Sequence, residues 1–262
     1  AAGFCGGSGS AIGCLSRPES ARCGRRRYDP PMRVVIVGGG MVGMTLAHLL
    51  RRRGVEPVVV ERAPAGHYVP RGYMLGFQGY EPLQEVGVFD EVRAAGRPIA
   101  PRDGRDPVAV AVRFGALIEA LQRDLPMMNE HTVTGLLRAD DGRVVGVEAD
   151  GPDGPVTFEA DLVVACDGMG SPTREMAGLE AVFDALPEAE LGFMSPSLAD
   201  TSFAMAYMSD GGHIGVLSWN EGSAGWRSID RVGAEAALAP GVEDMREMWE
   251  RLLPESAAAV EG

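Results

Sequence analysis

Arg33-Val34-Val35-Ile36-Val37-Gly38-Gly39-Gly40-Met41-Val42-Gly43 is the stretch on which the reading of this chain turns. Its β-branched run from Val34 to Val37 suits a strand buried on both faces. The run enters Gly38-Gly39-Gly40-Met41-Val42-Gly43, a G-x-G-x-x-G pattern. In a chain with 36 glycines that pattern alone is weak, so its surroundings decide. A helix is predicted over 42–53, with Val42, Leu46, Leu49 and Leu50 on one face. Arg51, Arg52 and Arg53 crowd its last turn, where positive charge suits the helix dipole, and Gly54 is placed to cap it. A second strand, Pro57-Val58-Val59-Val60, ends at Glu61. The whole is a βαβ unit with an acid at the tip of its second strand.

Each residue type in that unit has a physical task. Gly38 permits a tight turn, Gly40 lets backbone approach a pyrophosphate, and Gly43 lets helix and strand pack closely. The first turn, at Met41 and Val42, offers unpaired N–H groups and partial positive charge to phosphate oxygens. Glu61, followed by Arg62, is placed to accept hydrogen bonds from both hydroxyls of an adenosine ribose. A carboxylate there repels a 2′-phosphate, which favours FAD or NAD over NADP. The plain alternative is a glycine-rich turn in an α/β sheet with no ligand.

Composition removes other classes. The 262 residues suffice for one large domain or two modest ones, and 45% apolar with 23% charged residues is ordinary globular usage. A formal charge of −13 argues against a nucleic-acid partner, and no apolar run is long enough for a membrane span. All 24 basic residues are arginine. With no lysine there is neither a Walker-type phosphate loop nor a pyridoxal Schiff base. Cys5, Cys14 and Cys23 fit no zinc-ligand spacing, Cys166 reads as a small core residue, and no Ser–His–Asp arrangement is evident. This cysteine usage suits a reducing cytoplasm.

Residues 1–31 are rich in Gly, Ser and Arg, without strand or helix period, and are read as a disordered or non-native extension before Met32. A mitochondrial transit peptide is the alternative. Beyond Arg62 the chain does not continue the strand–helix alternation of an NAD dehydrogenase. A Gly- and Pro-rich stretch leads to a helical pattern through Leu83, Val86, Val88, Phe89 and Val92, and a second helix is predicted over 115–123. Short strands follow at 133–137, 144–148 and 156–159, separated by turn residues. Such an inserted β-meander fits FAD-binding folds of the two-dinucleotide type. Then Asp161-Leu162-Val163-Val164-Ala165-Cys166-Asp167-Gly168 ends a buried strand at Asp-Gly, followed by Ser171 and Arg174.

With both motifs in place, the chain resembles the class A FAD-dependent monooxygenases, the p-hydroxybenzoate-hydroxylase-like group, over about residues 32–262. The resemblance implies that Asp167, Gly168 and Arg174 help hold the FAD pyrophosphate region, that Arg71 approaches the flavin side, and that Val133 meets adenine through its backbone. The family's arginine before the second helix falls by spacing at Phe114, and the arginine present is its neighbour Arg113, for which a surface role is the alternative. The family's third fingerprint, a strand ending in Gly-Asp before an Ala-His segment, has no match here. The expectation is therefore a chain truncated at its C-terminus.

The expected fold is α/β of mixed α+β character. It comprises a Rossmann-like FAD-binding domain with inserted meander at 32–180, and a partial antiparallel substrate domain with a return helix (243–253) at 181–262. Strands are predicted at 202–209, 213–219 and 225–230; Tyr207, His213, Trp219 and Trp226 either line a pocket for an apolar ring or simply pack the sheet. The implied activity is NAD(P)H-driven hydroxylation or epoxidation of an aromatic, polycyclic or other apolar small molecule by O2, through a flavin hydroperoxide. FAD is the cofactor and NADH or NADPH the co-substrate; a homodimer is left open. An FAD-dependent dehydrogenase or reductase and an inactive fragment are the alternatives; a halogenase is disfavoured because its Trp-x-Trp-x-Ile motif is absent.

Overall fold

The computed structural model describes residues 32–100, 106–184, 186–209, 211–230, 247, 249–254 and 259. The extension expected at 1–31 and most of the return helix lie outside the described residues; 247 and 249–252 are helical.

In chain order the elements begin with β1 (Val34–Val37), α1 (Met41–Arg51), β2 (Val58–Val60), β3 (Gly72–Gly76), α2 (Tyr80–Val86), α3 (Phe89–Ala94), β4 (Arg97–Ile99), β5 (Ala109–Arg113) and α4 (Phe114–Gln122). There follow β6 (Thr132–Arg138), β7 (Val144–Gly151), β8 (Gly154–Glu159), β9 (Leu162–Ala165), α5 (Pro172–Met176), β10 (Glu188–Ser195), β11 (Phe203–Tyr207), β12 (His213–Trp219) and β13 (Gly222–Asp230).

The β-branched run of β1 lies at the centre of a parallel sheet ordered β2-β1-β9, all four of its residues buried. Its alternation divides them between two layers. Val34 and Ile36 pack with Met44 and Ala47 of α1 and Leu117 and Leu121 of α4, whereas Val35 and Val37 pack with Val147, Ala149 and Ala160 on the meander side. The antiparallel meander β6-β7-β8 thus covers one face and the helices the other. His48, read as structural on α1, meets the Leu121 carbonyl through Nε2 at 2.7 Å and ties α1 to α4.

Three differences from expectation have plain causes. The helical pattern from Leu83 to Val92 is two helices, because Gly87 adopts a left-handed conformation (φ 87°) that closes α2 before α3 begins. An antiparallel sheet ordered β3-β5-β4 lies where only loops and helices were expected. β10 adds a fourth strand to the C-terminal antiparallel sheet, ordered β10-β13-β12-β11. Trp249 and Leu253 pack on that sheet beside Ile214 and Val216, while Leu217, Phe203 and Trp226 pack against Ile99, Ala109 and Ala111.

Candidate functional site: the glycine loop and the β9 terminus

The ends of β1, β2 and β9 open on one cavity of about 270 Å3, walled by Gly38, Gly40, Glu61, Arg62, His131, Val133, Asp167, Gly168 and Thr173 among others. The chain turns out of β1 at Gly38 with φ +105°, where a Cβ would lie 2.4 Å from the Cys166 carbonyl oxygen. Only glycine fits that turn against β9. At Gly43 a Cβ would lie 2.0 Å from the Gly38 carbonyl oxygen, so α1 lies directly on the loop. Gly40, by contrast, faces open space, with nothing within 4 Å of its Cβ position. Gly40 is also the N-cap of α1, which has no side-chain cap and no acid in its first turn. The first turn's N–H groups are left for a ligand or water, with the positive end of the dipole beside them.

Glu61 faces that loop. Its Oε2 accepts the Gly39 N–H at 2.6 Å and its Oε1 the Ala63 N–H at 2.7 Å. The carboxylate is thereby fixed in orientation and retains lone pairs for sugar hydroxyls. On the far wall, Asp167 accepts from the Ser171 hydroxyl and from the Thr173 N–H at 3.0 Å. Burial pushes its carboxyl up, but the hydrogen bonds from Ser171 and Thr173 outweigh burial and hold it below the usual range. Ser171 Oγ also accepts the Arg174 N–H and so caps α5. Cys166, a free thiol, is half-buried at the loop; burial and then the neighbouring Asp167 charge push it up, away from the thiolate form.

The cavity brings together Gly38, Gly40, Glu61, Arg62, Val133, Asp167 and Gly168 from segments far apart in sequence. A second cavity of about 390 Å3 shares Gly40, Glu61 and Arg62 with it and continues past Arg71 and Phe114. Gly43 sits beneath the loop, and the side chains of Met41 and Val42 turn into an apolar groove on the helix side, leaving only their backbone at the loop. Beyond these three, two further expected site residues, Arg113 and Arg174, line neither cavity. Arg113 is drawn away by the Tyr68 hydroxyl and by Glu119 at 3.1 and 3.2 Å, with Glu221 3.7 Å from its Nε. Arg174 turns to the Met169 carbonyl at 2.9 Å and stacks over Phe183. Arg113 thus takes the surface pairing that was the alternative to a cofactor contact, and Arg174 lines a separate cavity with Asp167 and Gly168; opposite charge and carbonyl partners nearby set the direction of a long side chain.

Sequence reasoning missed the segment before β6. Met128 forms a parallel bridge with Val60, and His131 donates its N–H to the Glu61 carbonyl at 2.9 Å. The His131 ring, fixed by Nδ1 to the Asn129 carbonyl at 2.6 Å, lines the cavity with Thr132 and Thr173. The one available signal was nearness to Val133. The four rings expected to line a pocket, those of Tyr207, His213, Trp219 and Trp226, do not converge on one cavity among the described residues. His213 and Trp219 stand at opposite ends of β12, Tyr207 is exposed, Trp219 is buried against Gly72, and Trp226 packs with Phe203. Trp219 and Trp226 pack within the sheets, whereas Tyr207 lies at the surface beside the His213 ring. Among the described residues no cluster of three His, Cys, Asp or Glu is suited to a metal, and no helix is long and apolar enough to cross a membrane.

A parallel sheet with a glycine loop at its carboxyl end, helices on one face and a meander on the other defines a Rossmann-like dinucleotide-binding protein of the flavoprotein type. The chain belongs to the FAD binding domain family, which matches residues 31–103 and 116–254. It is 30% identical over 177 residues to 3-(3-hydroxy-phenyl)propionate/3-hydroxycinnamic acid hydroxylase of Mycolicibacterium smegmatis, covering 56% of this chain and 30% of that one. It is 29% identical over 244 residues to 3-amino-4-hydroxybenzoate 2-monooxygenase of Streptomyces cremeus, covering 83% and 61%. Its fold matches P. aeruginosa PqsL, solved in complex with 2-aminobenzoylacetate, with a TM-score of 0.73 at 21% identity over 87% of this chain and 70% of that one. The chain thus spans about a third to three-fifths of these curated relatives' length.

Proposed function

We propose that this chain holds the adenosine and pyrophosphate half of FAD within an NAD(P)H-dependent monooxygenase that hydroxylates or epoxidises an aromatic or other apolar small molecule with O2. The observation that carries the reading is the single cavity uniting the glycine loop, Glu61, Val133 and the Asp167–Gly168 turn. Its donor set suits the group: open space at Gly40, an uncapped helix start, and an oriented carboxylate opposite. In this reading Gly38, Gly40 and the N–H groups of Met41, Val42 and Gly43 receive the pyrophosphate. Glu61 accepts the ribose hydroxyls, with Arg62 beside it, and the backbone at Val133 meets adenine. Asp167 holds the start of α5 in place through Ser171 and Thr173, and Gly168 keeps backbone close to the phosphates. Arg71 supplies a cation on the flavin side.

FAD, when bound, supplies the redox and oxygen-activating chemistry. The protein's task is to hold, orient and exclude water. The relatives named for hydroxylase and monooxygenase activity favour oxygen transfer over simple dehydrogenation. The free Cys166 suits a reducing cytoplasm.

Two measurements test the reading. Titrating FAD with the protein quenches flavin fluorescence, and Glu61→Gln weakens binding about tenfold by removing a charged acceptor from the ribose. With NADH or NADPH, an aromatic substrate and labelled O2, one labelled oxygen atom enters the product. Product oxidised without label identifies a dehydrogenase instead, and absence of flavin binding by the wild-type protein overturns the assignment altogether.

A further inference from the structure

Arg71 and Phe114 form a pair whose purpose the fold alone does not explain. The Arg71 guanidinium carbon stands 4.0 Å from the centroid of the Phe114 ring, within cation–π range. The backbones are joined as well, since the Phe114 N–H donates to the Arg71 carbonyl at 2.9 Å. Phe114 opens α4 and is 7% exposed, held from behind by Tyr73 at 5.7 Å between centroids. Its ring is therefore an anchored platform, whereas Arg71 is an exposed residue on a connecting segment. Both line the cavity that shares Gly40, Glu61 and Arg62 with the nucleotide cavity.

Charge gives the pair its meaning. The chain carries 37 acidic residues against 24 basic ones, yet no carboxylate pairs with Arg71 among the described residues. Nearby carboxylates have other bonds: Glu61 takes the N–H groups of Gly39 and Ala63, and Glu119 takes Arg113 and the Tyr68 hydroxyl. A guanidinium without a carboxylate partner, lining the same cavity as the uncapped start of α1, is set for an anion. Left unsupported, so long a side chain would lose much rotamer freedom on reaching a ligand, and a ring beneath it removes part of that loss beforehand.

We propose that Phe114 is a positioning residue whose ring holds Arg71 ready for the negative charge of the dinucleotide, so that an aromatic works through an arginine where the spacing of the resemblance expects an arginine itself. This rests on the FAD reading above and adds a chain-specific device to it. The test is FAD titration by flavin fluorescence of the full chain, at low and high salt, for wild type, Arg71→Ala, Phe114→Leu, Phe114→Tyr and the Arg71→Ala/Phe114→Leu pair. Arg71→Ala weakens binding about tenfold or more, and Phe114→Leu about three- to tenfold. Phe114→Tyr keeps the ring and stays within about twofold of wild type. In the double variant Phe114→Leu adds nothing to the loss from Arg71→Ala, and the Phe114→Leu deficit shrinks at high salt. A Phe114→Leu protein that binds FAD as wild type does, or that loses as much again without Arg71, overturns the proposal while leaving the cofactor reading intact. Wild-type protein that binds no FAD overturns both.

Discussion

Two glycines three residues apart do different work, and substitution separates it. A methyl group at Gly43 must occupy space 2.0 Å from the Gly38 carbonyl oxygen, a backbone atom that side-chain rotation cannot clear. Gly43→Ala therefore forces α1 away from β1, and a loss of about 3 kcal/mol or more is expected in thermal or urea denaturation. At Gly40 the same methyl meets nothing within 4 Å, and φ is −75°. Gly40→Ala costs the fold no more than about 1 kcal/mol but narrows the approach to the helix start, so flavin titration shows weakened FAD binding by a protein that remains folded. Equal stability losses at both positions would contradict this division. The packing role of Gly43 was legible in the sequence because a backbone constraint is local: the strand, loop and helix that impose it are contiguous. The directions of Arg113 and Arg174 were not legible. Their partners, Tyr68, Glu119 and Glu221 for one and the Met169 carbonyl for the other, follow from packing and charge rather than from motif offset.

At the scale of elements, the junction from β9 to α5 depends on one carboxylate. Asp167 leaves the strand and accepts from Ser171 and Thr173, while Ser171 in turn caps the helix. Because these bonds hold its folded-state acidity below the usual range, Asp167 adds stability that is fully present above the ordinary carboxylate value, near pH 4, and is lost as pH falls through the lower folded value. Asp167→Asn keeps one acceptor oxygen and loses the charge. Urea denaturation at neutral pH should show a loss of about 1–2 kcal/mol, with a shallower decline of stability below pH 4 than in wild type. Parallel acid profiles for the two proteins would show that the junction is held by other means. The buried βαβ strands and the meander were legible because β-branched runs and Gly-rich turns mark them. β3, β4 and β5 were not. Gly72 and Gly76 bound β3, β4 is three residues including Pro98, and β5 alternates alanine with valine, so each strand draws its stability from the sheet more than from its own sequence.

At the scale of the whole molecule, the β10–β13 sheet is joined to the dinucleotide-binding core through the β3–β5 sheet, by an apolar seam and a polar clasp. The seam places Ile99, Ala109 and Ala111 against Leu217, Phe203 and Trp226, and the Trp219 ring lies so close to Gly72 that a Cβ there would stand 2.9 Å from it. The clasp centres on Arg97, which donates to the Ala199 carbonyl at 2.9 Å, to Ser218 Oγ at 3.1 Å and to the Asp200 carbonyl at 3.3 Å. Ser202 reaches the Pro98 carbonyl and Asn220 the Ala94 carbonyl on either side of it. Ser218 keeps bonds with Gly222 and Ser223 without the arginine, whereas the carbonyls of Ala199 and Asp200 lose a charged donor. Arg97→Met preserves most of the side-chain volume and removes the clasp alone, at a cost of about 2–3 kcal/mol. In a chain of this size that lowers the melting temperature by about 5–10 °C. Since the seam is intact, calorimetry should still record one cooperative transition. Two separate transitions in Arg97→Met would mean that the clasp, rather than apolar contact, makes the sheets unfold as a unit. The seam would then be the weaker tie, and the place where the β10–β13 sheet moves relative to the dinucleotide-binding core.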